Sequence, residues 1–176
     1  AQYALLEVQQ GEGRRVLVAN THLYFHPGAS HIRSLSVAAI LAHAADLLSR
    51  HGLTEEDCPV LVCGDLNSEP DTGAIELLAR SSVSAEHYEW RDCSRFSWKA
   101  RDEESGFEQD EDLRYALDGA AGGGSEERYP CFDLRSPFGP LASSDGLRSA
   151  FTNYVKGYIG ALDYIFDPPG KMGLER

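Results

Sequence analysis

Positive charge is scarce in this 176-residue sequence: 16 Lys and Arg stand against 28 Asp and Glu, a formal net charge of -12. A broad basic face that grips nucleic acid through its phosphates is therefore excluded, and any polyanion must be held locally. No apolar run approaches the roughly 20 residues that cross a bilayer, and no signal-peptide pattern is visible, so the expectation is an intracellular protein with no membrane partner. Cys58, Cys63, Cys93 and Cys131 show no C-x-x-C spacing. That argues against a disulfide framework or a zinc knuckle; they read as reduced thiols, with Cys63 a small core residue of its strand.

The acidic excess is concentrated. Asp102, Glu103, Glu104, Glu108, Asp110, Glu111, Asp112, Asp118, Glu126 and Glu127 share one stretch with the AAGGGS run at 120–125. The segment from about 91 to 143 therefore reads as an acidic, low-complexity surface insertion. The blocks on either side carry the apolar patterning of a folded domain.

Three apolar runs each deliver one polar cluster. Pro59–Asn67, PVLVCGDLN, delivers Asp65 and Asn67 past a strand suited to burial on both faces, with Gly64 easing the turn. In an extended chain those two residues project to the same side. A carboxylate and a carboxamide held together can accept a proton from water, ligate a hard cation and donate to an anionic oxygen, which are the needs of phosphoester hydrolysis. Val16–Leu23, VLVANTHL, ends in Asn20, Thr21 and His22, and Ala161–Phe166, ALDYIF, places Asp163 among apolar neighbours, where a buried acid requires a partner or a metal.

Taken in order, NTHL, GDLNS and LDYIF resemble the endonuclease/exonuclease/phosphatase superfamily, the group of deoxyribonuclease I, abasic-site endonucleases, inositol phosphatases and poly(A) deadenylases. NTHLYFHPGASHIRSLSVAAILAH and FTNYVKGYIGALDYIF look like the branch of 2′,5′-phosphodiesterases and deadenylases. The resemblance covers residues 1 to about 90 and about 144 to 168. It implies an α/β (α+β) fold, a deoxyribonuclease I-like two-sheet β-sandwich flanked by helices.

The resemblance also implies roles. Asp65 would orient or deprotonate the attacking water, Asn67 would sit beside it, His22 would contact the scissile phosphate, and Asp163 would serve a second metal or orient a histidine. Asp65, Asn67 and Asp163 would hold Mg2+ or Mn2+, and Asn20, Pro27, Asn153 and Tyr158 would bind substrate. Pro27 lies five residues after His22 and Tyr158 five before Asp163, where they would sandwich a nucleobase. Base stacking of that kind contributes about 1–3 kcal/mol. The implied activity is a metal-dependent phosphodiesterase or exoribonuclease acting on RNA ends, 2′,5′-oligoadenylate or poly(A), in mitochondria or cytoplasm. A non-catalytic homologue that binds RNA or protein, and a lipid or inositol phosphate enzyme, are the alternatives. Arg33, close to His26 and His31, leaves a further phosphate contact open.

Two family features are not found in their usual places. The principal metal-binding Glu lies well upstream of NTHL in the family, whereas Glu7 is close to it, and SSDG at 143–146 has Gly where the family's SDH has His. The sequence opens on Ala1 and stops at Arg176 soon after a core strand, so a domain incomplete at both ends is expected. Patterning predicts strands over 3–8, 15–23, 59–64 and 162–166, a turn over 9–14, a helix over 31–51 whose apolar stripe is Ile32, Leu35, Ala39, Ala42 and Ala45, and a short helix ending at Arg80 and capped by Asp71 or Thr72.

Overall fold

The computed structural model describes residues 1–8, 13–92, 134–143 and 151–170. The strands are β1 (Gln2–Glu7), β2 (Arg15–His22), β3 (Val60–Asp65), β4 (Ser82–Val83), β5 (Leu134–Arg135), β6 (Ala142–Ser143), β7 (Asn153–Val155), β8 (Tyr158–Gly160) and β9 (Asp163–Asp167). The helices are α1 (Ser30–Arg50), α2 (Gly73–Arg80) and α3 (Tyr88–Asp92), and a 3-10 turn covers Pro27–Ala29. Residues 9–12 of the expected turn over 9–14 and most of the expected acidic insertion lie outside the described residues, as do Cys93, Cys131 and Asp145.

A five-stranded mixed sheet, ordered β1-β2-β3-β9-β6, forms the frame. β1 and β2 pair antiparallel, β2 and β3 parallel, and β3 and β9 antiparallel. A parallel pair needs a crossover, and α1 supplies it between β2 and β3. Two small pairs, β4 with β5 and β7 with β8, complete the pairing among the described residues.

One face of the sheet holds the core. Leu17, Ala19, Val60, Val62, Tyr164 and Phe166 are buried together with Val37, Leu41, Ala44 and Leu48 of α1 and Ile75, Leu77 and Leu78 of α2. The period of two then turns Val18, Leu61, Cys63 and Ile165 to the opposite face, where they are half-buried or exposed. This corrects two expectations. β3 is sealed on one face only, and Cys63 lies outside the core while Cys58 is fully buried. Among the described residues the sandwich is represented by one sheet and its helical layer.

α1 differs from its predicted stripe. Its buried side is Arg33, Ser34, Val37, Ile40, Leu41, Ala44 and Leu48, whereas Ala39 and Ala42 are exposed. The helix carries apolar residues around most of its circumference, so periodicity alone does not select the packed face. By length and composition the span Pro27–Arg50 is apolar enough to cross a membrane, yet its packed side is built into the core. The helix stops before Gly52, whose φ is +65°, and Leu53 N–H closes on the Leu48 carbonyl at 2.9 Å.

α2 begins on an acid from elsewhere. Thr72 occupies the cap position, but its hydroxyl donates to the Glu69 carbonyl at 2.7 Å. Glu89, 0% exposed, accepts the Gly73 N–H at 3.0 Å and the Ser34 hydroxyl at 2.7 Å. One carboxylate therefore ties α1, α2 and α3 together and meets the positive end of α2. A Cβ at position 73 would approach that carboxylate to 2.6 Å, which makes glycine the fitting residue there.

Candidate active site

The sheet brings the three polar strand ends into one row. His22 of β2 is in register with Asp65 of β3, and Asp65 with Asp163 of β9. The neighbouring residue Asn20 stands opposite Cys63 on the same face, and the Cys63 thiol approaches its Oδ1 at 3.8 Å. Asp163 corrects its expectation. Leu162 and Tyr164 are buried, and alternation sends Asp163 to the exposed side, so no burial penalty forces a partner on it.

Gly64 makes the close approach of β2 and β3 possible. Its φ is +124°, and a Cβ there would collide with the Thr21 carbonyl oxygen. The chain then turns sharply. Leu23 N–H donates to the Asp65 carbonyl at 2.9 Å and Leu66 N–H to the Leu162 carbonyl at 2.7 Å, so all three strand ends are stitched beneath the row.

Asn67 also departs from the extended geometry expected of it. Its φ is +46°, and its N–H donates to Asp65 Oδ1 at 2.9 Å, closing a side-chain turn. Its Nδ2 donates to the Leu23 carbonyl at 2.8 Å, which fixes the amide so that Oδ1 is the atom left for a ligand. Asp65 therefore has Oδ1 engaged, while Oδ2 lies 3.6 Å from His22 Nε2. The His22 side chain is 73% exposed. An imidazole at that distance is poised beside the carboxylate without being locked to it.

Of the surrounding shell, only Arg33 was marked in the sequence, as an open phosphate contact. Arg33, 5% exposed, donates through Nη1 to the carbonyls of Tyr24 and His26 at 3.2 and 2.8 Å, and through Nε to Ser68 Oγ at 3.2 Å. It thereby joins the loop after His22 to the loop after Asn67. The Tyr164 hydroxyl lies 2.8 Å from the carbonyls of both Ser68 and Ala161. Thr152 Oγ1 accepts the Leu162 and Asp163 N–H groups at 2.9 and 3.0 Å, which anchors the β7–β8 hairpin to the head of β9.

Of the expected substrate residues, Asn20 lies on β2, and Asn153 and Tyr158 lie on β7 and β8. Pro27 opens the exposed 3-10 turn just past the loop that Arg33 holds. Tyr158 folds across Gly160, whose missing Cβ leaves room for the phenol. Its pKa is pushed up to about 12, by burial first and then by the Glu69 carboxylate facing its hydroxyl. Asn153 lies opposite Gly160 on the same hairpin. Glu7 pairs with Arg15 at the far end of β2, seven residues from His22, roughly 23 Å away at strand spacing. It is no part of the row.

Among the described residues, no group of three or more His, Cys, Asp or Glu side chains is placed to hold a metal ion by itself. The donor set is nonetheless of the right kind. Asp65 Oδ2, Asn67 Oδ1 and Asp163 are hard oxygens, and Mg2+ is commonly bound by one or two carboxylates with water completing its shell.

No protein-family model matches the chain. It is similar to the human protein 2′,5′-phosphodiesterase 12, 33% identical over 167 residues that cover 94% of this chain and 21% of the human protein. It is also similar to the CCR4-Not complex 3′-5′-exoribonuclease subunit Ccr4 of Mycosarcoma maydis, 27% identical over 93% of this chain and 22% of that one. Among solved structures, ANGEL2, a 2′,3′-cyclic phosphatase, superposes with a TM-score of 0.57 at 21% identity, covering 89% of this chain and 46% of that chain. These relatives are members of the endonuclease/exonuclease/phosphatase superfamily, and the chain matches a fragment of them. The fold is the superfamily's deoxyribonuclease I-like fold, represented in part, since the chain spans about a fifth of the length of the curated relatives it matches.

Proposed function

We propose that this chain carries part of the active site of a magnesium-dependent phosphodiesterase that hydrolyses RNA ends, with 2′,5′-oligoadenylate or poly(A) as substrate. The carrying observation is the row of His22, Asp65 and Asp163 on three adjacent strand ends, with Asn67 turned in beside Asp65. The activities for which the two sequence relatives are named, a 2′,5′-phosphodiesterase and a 3′-5′-exoribonuclease, support the substrate class.

The residues divide the work by chemistry. Asp65 Oδ2 accepts a hydrogen bond from the attacking water and draws its proton as the bond to phosphorus forms, while the bond from phosphorus to the leaving ribose oxygen breaks and that oxygen takes a proton from solvent. Asn67 holds Oδ1 of the same carboxylate through its backbone N–H, so Asp65 presents one fixed oxygen. His22 donates to a phosphoryl oxygen as negative charge builds there. Asp65, Asn67 Oδ1 and Asp163 would hold a divalent cation, which when bound neutralises charge on the phosphate and lowers the pKa of water. Pro27 and Tyr158 would bracket the terminal base, with Asn20 and Asn153 as polar contacts.

The test is hydrolysis of oligoadenylate by the full-length protein carrying Asp65→Ala, with magnesium present. Loss of at least a hundredfold in kcat with a retained melting temperature is expected, in line with removal of a general base. Retained activity would sink the assignment.

A further inference from the structure

We propose that Arg33 is a phosphate-binding residue of this site: one edge of its guanidinium staples the two substrate loops together, and the other is held open for a phosphoryl oxygen of the bound nucleotide. The inference rests on the function proposed above and names the group that holds the substrate's own charge.

Arg33 is a buried cation without a contacting carboxylate. It is 5% exposed, and among the described residues no Asp or Glu forms an ion pair with it. Glu89 balances it only at a distance, its own oxygens being bound to Gly73 and Ser34. A guanidinium that serves packing alone is ordinarily saturated. Here Nε and Nη1 are saturated by Ser68 Oγ and by the Tyr24 and His26 carbonyls, whereas Nη2 has no acceptor among the described residues. Nor is Nη2 sealed away, since it is not among the buried side-chain polar atoms that lack an acceptor or donor.

Position supplies the second argument. The three bonds that fix the fork come from the loop leading into Pro27 and from Ser68, next to Asn67. Tyr158 is close enough to Arg33 and to Asp65 for both charges to act on its phenol. The open nitrogen thus belongs to the neighbourhood where base and phosphate would meet. Around it the site is acidic, with Asp65, Glu69 and Asp163, in a chain of net charge -12. A nucleotide phosphate entering such a site needs a fixed donor of positive charge, and a preorganised arginine gives a stronger bond than a mobile surface lysine.

The test compares 5′-AMP with adenosine in titration calorimetry on the full-length protein. The wild type should bind AMP about tenfold or more tightly than adenosine, the gap expected of a charge-assisted hydrogen bond. In Arg33→Gln the gap should shrink towards onefold while adenosine affinity is kept. An unchanged gap in folded Arg33→Gln overturns the proposal. If that variant does not fold, wild-type protein labelled with 15N-arginine provides the reading: the Arg33 side-chain resonance should move with AMP and not with adenosine. Saturation by AMP without that movement overturns it as well. Binding of neither ligand would count against the nucleotide substrate itself, whereas equal binding of both would remove only the role of Arg33.

Discussion

Asp65 and Asp163 stand directly opposite one another in the register of β3 and β9. Like charges in that position repel, at a cost of roughly 0.2–1 kcal/mol, and Asp163 is exposed, so packing does not require its charge. Asp163→Asn should therefore raise the melting temperature of metal-free protein slightly while lowering magnesium-dependent hydrolysis. Thermal unfolding in EDTA and in magnesium checks both halves. A variant that melts lower than wild type without metal would show that Asp163 supports the fold instead of opposing it.

Asn67 does two jobs that substitution can separate. Its φ of +46° favours Asn or Gly, and its Nδ2 bond to the Leu23 carbonyl joins the two loops. Asn67→Ala loses both and should cost about 2–3 kcal/mol in denaturant unfolding. Asn67→Gly restores the backbone and should cost about 1 kcal/mol, the side-chain bond alone. If the amide also acts on the substrate or metal, both variants should be equally inactive despite their different stabilities. Activity surviving in Asn67→Gly would reduce Asn67 to a turn former.

The sequence made the row visible but not its support. NTH and GD close apolar runs and LDY opens one, and a strand end is where a sheet exposes such groups, so His22, Asp65 and Asp163 stood out in the pattern, while their roles came from the resemblance. Asn67 was misjudged because an Asx turn and an extended strand share the same spacing. Asp163 was taken for a buried acid because its neighbours are apolar, although period-two alternation already sent it to the other face. Arg33 was marked only by its closeness to His26 and His31, and Glu89 gave no signal. Each is buried through partners 35 and 16 residues away in sequence, Ser68 and Gly73. The α1 stripe failed for a related reason, since an Ala-rich helix has more than one face that fits.

Tyr158 yields a pH prediction. Its folded pKa of about 12 lies above the ordinary value of 10.0, chiefly through burial, so the neutral phenol is the form the fold favours. The stabilisation is fully present below pH 10 and is lost as pH rises from 10 towards 12. Burial shifts Tyr164 in the same direction. Ultraviolet difference spectra should therefore show exposed tyrosines ionising first, with these two following as the protein unfolds. In Tyr158→Phe the fall in stability over that window should become shallower; an identical fall would assign the effect to Tyr164 and to the remaining groups.

Thr152 tests whether the hairpin positions Asp163. Its Oγ1 takes the N–H groups of Leu162 and Asp163, the first of which lies beside a buried side chain. Thr152→Val keeps the shape and removes the acceptor, leaving donors that water reaches only in part, so a loss of about 1–3 kcal/mol is expected. Asp163 would then be held less firmly at the edge of the row. The magnesium concentration for half-maximal hydrolysis should rise severalfold, while activity at saturating magnesium falls much less. Thr152→Ser retains the oxygen and should restore the magnesium dependence even where it recovers only part of the stability. A stability loss with unchanged magnesium dependence would confine Thr152 to the hairpin and detach it from the site.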